Sequence, residues 1–210
     1  MFLTLPEVSA LAARCAPAVS PESLLSVVQV ESGFNPLAIG VNGSPRILVS
    51  ARRQADAAAK ASALIAAGRS VDLGLAQINS KSLGWLGLSV EAAFDPCRNL
   101  AAAGRVLQAG YSQSGADTVG EQLALRMALS RYNTGDPTRG FNNGYVAKVR
   151  AAAARIVPAI QVAPGPPPGE ALAAEPLPSR PSWDVFGQTA GAASFVIRIS
   201  TPALTANEGQ

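Results

Sequence analysis

The sequence predicts a small all-α domain, α+β at most, with one short strand arm and an extended proline-rich C-terminal tail. Three observations predict it. Helix-start and helix-stop signals recur along residues 1–160. Alternating strand patterns are nearly absent there. Composition then changes near residue 160, because 8 of the 16 prolines fall in 161–210. The first 160 residues carry 15 Lys+Arg against 10 Asp+Glu, whereas the tail carries 2 against 4. A chain of 210 residues with 48% hydrophobic residues can bury one core. The expected division is a compact domain at 1–160 and a largely disordered or extended tail at 161–210.

The elements follow in order. Thr4-Leu-Pro-Glu7 reads as a capping box opening a helix to about Cys15. Ser20-Pro21 places an N-cap before a proline at the first helical position, and that helix runs to about Glu31 and stops at Gly33. Asn42-Gly43 is a turn signal, and residues 46–50 form the strand arm. Arg52–Ala67 is an alanine-rich helix ended by Gly68. Asp95-Pro96 opens a helix to about Gln113. Thr118-Val-Gly-Glu121 reads as a second capping box, with its helix running to Tyr132. Gly144–Val157 is the last helix, stopped by Pro158. In the tail, Ser194–Ser200 has the composition of a short strand.

Composition excludes several kinds of chemistry. The chain has no histidine, hence no Ser–His–Asp triad, no Cys–His dyad and no HExxH zinc helix. Two cysteines cannot build a structural zinc site, and neither a GK[ST] phosphate loop nor GxGxxG occurs. No metal and no cofactor is expected. Catalysis falls to carboxylates, hydroxyls, amides, Lys or Arg. Net charge is only +3 and the cations are scattered, so no nucleic-acid groove is expected. No uncharged apolar run reaches the ~18 residues of a membrane span. The N-terminus lacks a basic start and has Glu7 inside its apolar stretch, so no signal peptide is legible.

Leu24, Val27, Val28 and Glu31 are spaced i, i+3, i+4, i+7 and share one helix face. An apolar stripe therefore ends in a carboxylate near a helix C-terminus. Burial and the negative end of the helix dipole both disfavour its ionised form, as a general acid requires. Gly74-Leu-Ala-Gln77-Ile-Asn79 offers a close-approach glycine and two amides suited to sugar hydroxyls and N-acetyl groups. Ala128-Leu-Ser-Arg-Tyr132-Asn133 sets a phenol and an amide at a helix end, before Gly135.

Taken together, Glu31-Ser32, residues 74–79 and residues 128–133 resemble the three motifs of lysozyme-like lytic transglycosylases, Glu-Ser, Gly-Leu-Met-Gln and Ala-x-x-x-Tyr-Asn, in the same order. The flanking residues 15–43 and 71–100 resemble the transglycosylase subunit of VirB-type type IV secretion systems. The resemblance covers about residues 4–157. Ala76 stands where many relatives carry Met; only backbone and shape are expected to matter there.

The resemblance implies a lysozyme-like fold and a peptidoglycan lytic transglycosylase. Such an enzyme cleaves the β-1,4 bond between N-acetylmuramic acid and N-acetylglucosamine and leaves a 1,6-anhydro end. Glu31 is then acid and later base, and Ser32, Gln77, Asn79, Tyr132 and Asn133 bind or orient substrate. Tyr132 is expected to hold Glu31. The partners implied are glycan strands and, through the tail, secretion-system components. Bond cleavage itself is not expected to need the tail. The location implied by the substrate is periplasmic, which favours a Cys15–Cys97 disulfide over two buried thiols. Two alternatives stay open. A water-using muramidase would need a second carboxylate, for which Asp72 is best placed, with Asp95 and Asp136 as others. A non-catalytic glycan-binding scaffold is the other.

Overall fold

In a computed structural model, the described residues are 2–43, 47–49 and 51–161. Nine α-helices and a small sheet are present among them. The order is α1 (Leu5–Cys15), α2 (Pro21–Glu31), β1 (Ile39–Val41), β2 (Ile47–Val49), α3 (Gln54–Ala66), β3 (Val71–Leu73), β4 (Ile78–Asn79), α4 (Leu83–Leu86), α5 (Pro96–Ser112), α6 (Ala116–Val119), α7 (Glu121–Thr134), α8 (Arg139–Asn142) and α9 (Tyr145–Gln161). The expected boundaries hold for most of the helices. Thr4 caps α1 through a complete capping box, Ser20 caps α2 ahead of Pro21, and the Asp95 side chain accepts from Arg98 N–H to cap α5. Each satisfies a backbone donor that the first helical turn leaves unpaired.

Three expectations change. Thr118 lies inside the one-turn α6, and α7 is preceded by Gly120 at φ 82°, with no side-chain cap. The left-handed glycine turns the chain between the two helices, which a threonine cap could not do. Second, α9 continues through Pro158 to Gln161. Proline this close to a C-terminus removes one helical hydrogen bond, and the remaining turn still forms. Third, the strand arm is one edge of a four-stranded antiparallel sheet, ordered β2-β1-β3-β4. The tail strand expected at 194–200 lies outside the described residues.

A single core joins the helices. α2 packs along α9 and against α1, and α5 packs against α1 and α7. Leu24, Val27 and Val28, the apolar stripe of α2, are fully buried together with Leu100, Leu107, Leu129 and Val149. Full burial of an aliphatic side chain of this size stabilises by about 2 kcal/mol. α2 is thereby fixed lengthwise, and its last residue, Glu31, is carried to one place. Cys15 and Cys97 are disulfide-bonded and tie the end of α1 to the start of α5.

Candidate active site

Glu31 is half-buried at the C-terminal end of α2, where the stripe ends. The hydroxyl of Tyr145 donates to its Oε1 at 2.6 Å. Tyr145 opens α9, is 6% exposed, and has its backbone N–H held by Asn143 Oδ1 at 2.9 Å. Burial first, then the nearby Glu31 charge, push the Tyr145 phenol well above its ordinary pKa, so it remains a donor. This role was expected of Tyr132. The Tyr132 hydroxyl instead donates to the Ala76 carbonyl at 2.7 Å. The packing explains the exchange: α9 runs along α2, while Tyr132, on α7, meets the turn that carries Ala76. The sequence signal for Tyr145 was a tyrosine directly after the Asn142-Asn143-Gly144 turn, at the start of an amphipathic helix.

Residues 74–77 form the turn between β3 and β4. Gly74 has φ 74°, and a methyl group there would run into the Ala93 carbonyl and the Asn99 amide. Asn99 is fully buried and fully engaged. Its Nδ2 donates to the carbonyls of Leu73 (2.9 Å) and Ala93 (2.7 Å), and its Oδ1 accepts from Ala76 N–H at 2.8 Å. Both backbone groups of Ala76 are therefore in use, while its side chain is buried and makes no polar contact, which accommodates Ala in place of Met. Gln77 adopts φ 50°, unusual for a residue with a side chain. Its Nε2 donates to the carbonyls of Ala38 (3.1 Å) and Gly74 (2.9 Å). Asn99 clamps this turn from below; nothing in the sequence pointed to it.

Asn133 sits exposed near the end of α7, with its Oδ1 accepting from Asn143 Nδ2 at 2.8 Å. That bond occupies Oδ1 and makes the amide nitrogen the donor end of Asn133. The connection to α8 is fixed by Ser130 and Asp136. The buried Ser130 hydroxyl donates to the Asp136 carbonyl at 2.6 Å and accepts from Gly140 N–H at 2.7 Å. Asp136 Oδ1 accepts from Thr138 N–H, Thr138 Oγ1 and Arg139 N–H, each at 2.8 Å. Those backbone bonds to Thr138 and Arg139, then the hydroxyl bond, hold the Asp136 carboxyl down to a pKa of about 2, against 3.8 ordinarily. A lowered folded-state pKa contributes stability above the unfolded value and loses it as pH falls through the folded one. The melting-temperature advantage of the wild type over Asp136→Asn is therefore expected to be constant above about pH 5 and to shrink between pH 4 and 2. An advantage unchanged at pH 2 would remove this role.

These pieces surround one cleft of about 650 Å³. Glu31, Gln77, Asn79, Tyr132 and Asn133 line it together, and so does Asp72. Ser32 instead caps α2 and turns its hydroxyl back to the Val28 carbonyl at 3.4 Å. The Asn79 amide already bonds Ser70, Asp72 and the Lys81 backbone, so any substrate contact there competes with those bonds. Asp95 caps α5 and Asp136 braces a turn, and of the three aspartates considered for water activation only Asp72 lines the cleft. The arrangement offers one acid held by a phenol, and amides at several heights along an open wall.

Residues 9–154, most of the chain, match the family model described as Transglycosylase SLT domain. The chain belongs to the SLT transglycosylase family. Among curated relatives, it is 40% identical over 185 residues to "Protein virB1" of Agrobacterium fabrum (strain C58 / ATCC 33970), covering 88% of this chain and 72% of that protein. It is 39% identical over 183 residues to "Type IV secretion system protein virB1" of Brucella suis biovar 1, covering 83% of this chain and 76% of the relative. No solved structure matches it significantly. The matched SLT region contains Glu31, the 74–79 turn, residues 128–133 and Tyr145, so every group that shapes the cleft lies within the family domain. Among the described residues of this SLT transglycosylase, no helix is long and apolar enough to cross a membrane.

Proposed function

We propose that this SLT transglycosylase cleaves the β-1,4 bond between N-acetylmuramic acid and N-acetylglucosamine in peptidoglycan, leaves a 1,6-anhydro end, and opens the cell wall locally for type IV secretion. The observation that carries the reading is Glu31, fixed by Tyr145 at the end of a buried stripe and opening into a cleft whose lining includes the amides of Gln77, Asn79 and Asn133. Glu31 gives its proton to the glycosidic oxygen as the bond to C1 breaks. The resulting carboxylate then accepts the proton of the muramic C6 hydroxyl as that oxygen closes onto C1. Bond count and charge balance without water, and Glu31 ends protonated as it began. One residue serves in both steps, which requires it to stay in place between them. The Tyr145 hydroxyl provides that hold. Gln77 and Asn133 bind hydroxyl or N-acetyl groups of the strand, and Tyr132 holds the turn that carries Gln77.

The secretion role rests on the likeness to the Brucella protein, whose name assigns it to that system. The substrate then puts the working site in the periplasm, and residues 162–210 make the contact with secretion components. The test has two arms. The purified chain is incubated with isolated peptidoglycan, and it is expressed in a strain lacking its own secretion transglycosylase. The expected result is release of soluble glycan fragments by both the full chain and one ending at Gln161, with secretion restored by the full chain alone. No release of fragments by the full chain would end the reading.

A further inference from the structure

Aspartate is among the residues most depleted from strands, yet Asp72 occupies the middle of β3, with β1 on one side and β4 on the other. Its Oδ1 accepts two amide bonds, from Asn79 Nδ2 at 2.7 Å and Asn42 Nδ2 at 3.0 Å. Asn79 is its cross-strand partner on β4, and Asn42 directly follows β1. Asn79 Oδ1 accepts from Lys81 N–H at 3.0 Å, which fixes which end of that amide faces Asp72. Amide donors orient a carboxylate without cancelling its charge. Asp72 lines the same cleft as Glu31, one arriving from the sheet and the other from a helix end. Both charges act on the buried Tyr132 hydroxyl and, after burial itself, raise its pKa. Tyr132, on α7, thus lies within the field of both carboxylates.

We propose that Asp72 is a second catalytic carboxylate of this cleft, stabilising the positive charge that develops on the sugar ring as the glycosidic bond breaks. This role rests on the transglycosylase reading. When the C1–oxygen bond breaks, its electrons leave with the oxygen, which takes the Glu31 proton. The ring is left with one positive charge, shared by C1, the ring oxygen and the neighbouring acetamido group. The charge disappears when the C6 oxygen adds to C1 and its proton passes to Glu31. Asp72 takes and gives no proton. Its contribution is a fixed negative charge present before the reaction begins, the kind of preorganised term that weighs most in catalysis. Glycosidases commonly set two carboxylates about the scissile bond. Here the second one serves a reaction whose acceptor is the substrate's own hydroxyl, so removing it slows cleavage without changing the product.

The test is Asp72→Asn in the full chain, assayed on isolated peptidoglycan beside the wild type and Glu31→Gln. Asparagine keeps an oxygen for the Asn42 and Asn79 amides and removes the charge. The expected result is kcat lower by about 100-fold, KM within about threefold, an unchanged anhydro product and a near-wild-type melting temperature. Asn42→Ala, which leaves Asp72 in place and removes one orienting bond, is expected to lower kcat about fivefold. This second variant decides the matter if Asp72→Asn does not fold. Wild-type kcat in a folded Asp72→Asn, or in Asn42→Ala when Asp72→Asn is unfolded, overturns the role. With Glu31→Gln inactive in the same assay, that result leaves the transglycosylase reading standing. An inactive wild type, or an active Glu31→Gln, removes both.

Discussion

Glu31→Gln is expected to lower glycan cleavage by at least about 1,000-fold, within the range a positioned general acid contributes and weighted upward because one group serves as acid and then as base. Glycan binding is expected to persist. Glutamine keeps an Oε1 that can accept the Tyr145 hydroxyl, so the cleft retains its shape while losing the carboxylic acid at that point. Tyr145→Phe should fall between the two, with kcat down about tenfold, because the acid remains but loses the bond that orients it. Turnover measured on isolated peptidoglycan, with glycan pull-down for binding, checks both. A Glu31→Gln chain that still cleaves would place the acid elsewhere. A wild type that binds without cleaving would favour the scaffold alternative.

Removing the disulfide is expected to be the largest single loss of stability. Cys15 ends α1 and Cys97 lies in the first turn of α5, 82 residues apart in sequence. Closing a loop of that length stabilises by about 4 kcal/mol in the chain-entropy model. Both helices bear on α2 or its neighbours, so the bond supports the bed on which Glu31 rests. Cys15→Ser combined with Cys97→Ser should lower the denaturant midpoint by an amount equivalent to about 4 kcal/mol. The oxidised wild type treated with reductant should approach the same midpoint. Equal midpoints for the double variant and the oxidised wild type would mean that the bond constrains nothing. The bond also suits the periplasmic working site proposed above.

The helical frame was legible because its signals are local. Thr4 with Glu7, Ser20 with Pro21, and Asp95 with Pro96 each fix a helix start from residues within one turn. Glu31 was legible for a related reason: a 3.6-residue period points it from the buried face of α2. Beyond the arm at 46–50, which holds β2, the sheet was not legible. Its strands span two or three residues, too few for alternation to show, and all three residues of β1 are buried. Reading residues 74–79 as a glycine turn offering two amides missed that residues 78–79 form β4, paired with β3, and that Asn99 clamps the turn at Ala76 from 23 residues away. The exchange of Tyr132 for Tyr145 has the same origin. Which phenol reaches Glu31 depends on α9 lying along α2, a contact between residues 114 apart in sequence. Asp136, weighed as a water activator, is engaged by backbone donors two and three residues ahead, a local motif that Asp-Pro-Thr often adopts.

The most direct measurement is the mass of the fragments that the wild-type chain releases from isolated peptidoglycan. Closure of the C6 hydroxyl onto C1 gives ends lighter than ordinary reducing ends by one water, about 18 Da from the atoms lost, the difference expected between transglycosylation and two-carboxylate hydrolysis. Fragments carrying predominantly anhydro ends are the expected result. Fragments carrying only reducing ends, which borohydride converts to alditols, would show that water is the acceptor and contradict the transglycosylase chemistry assigned to Glu31.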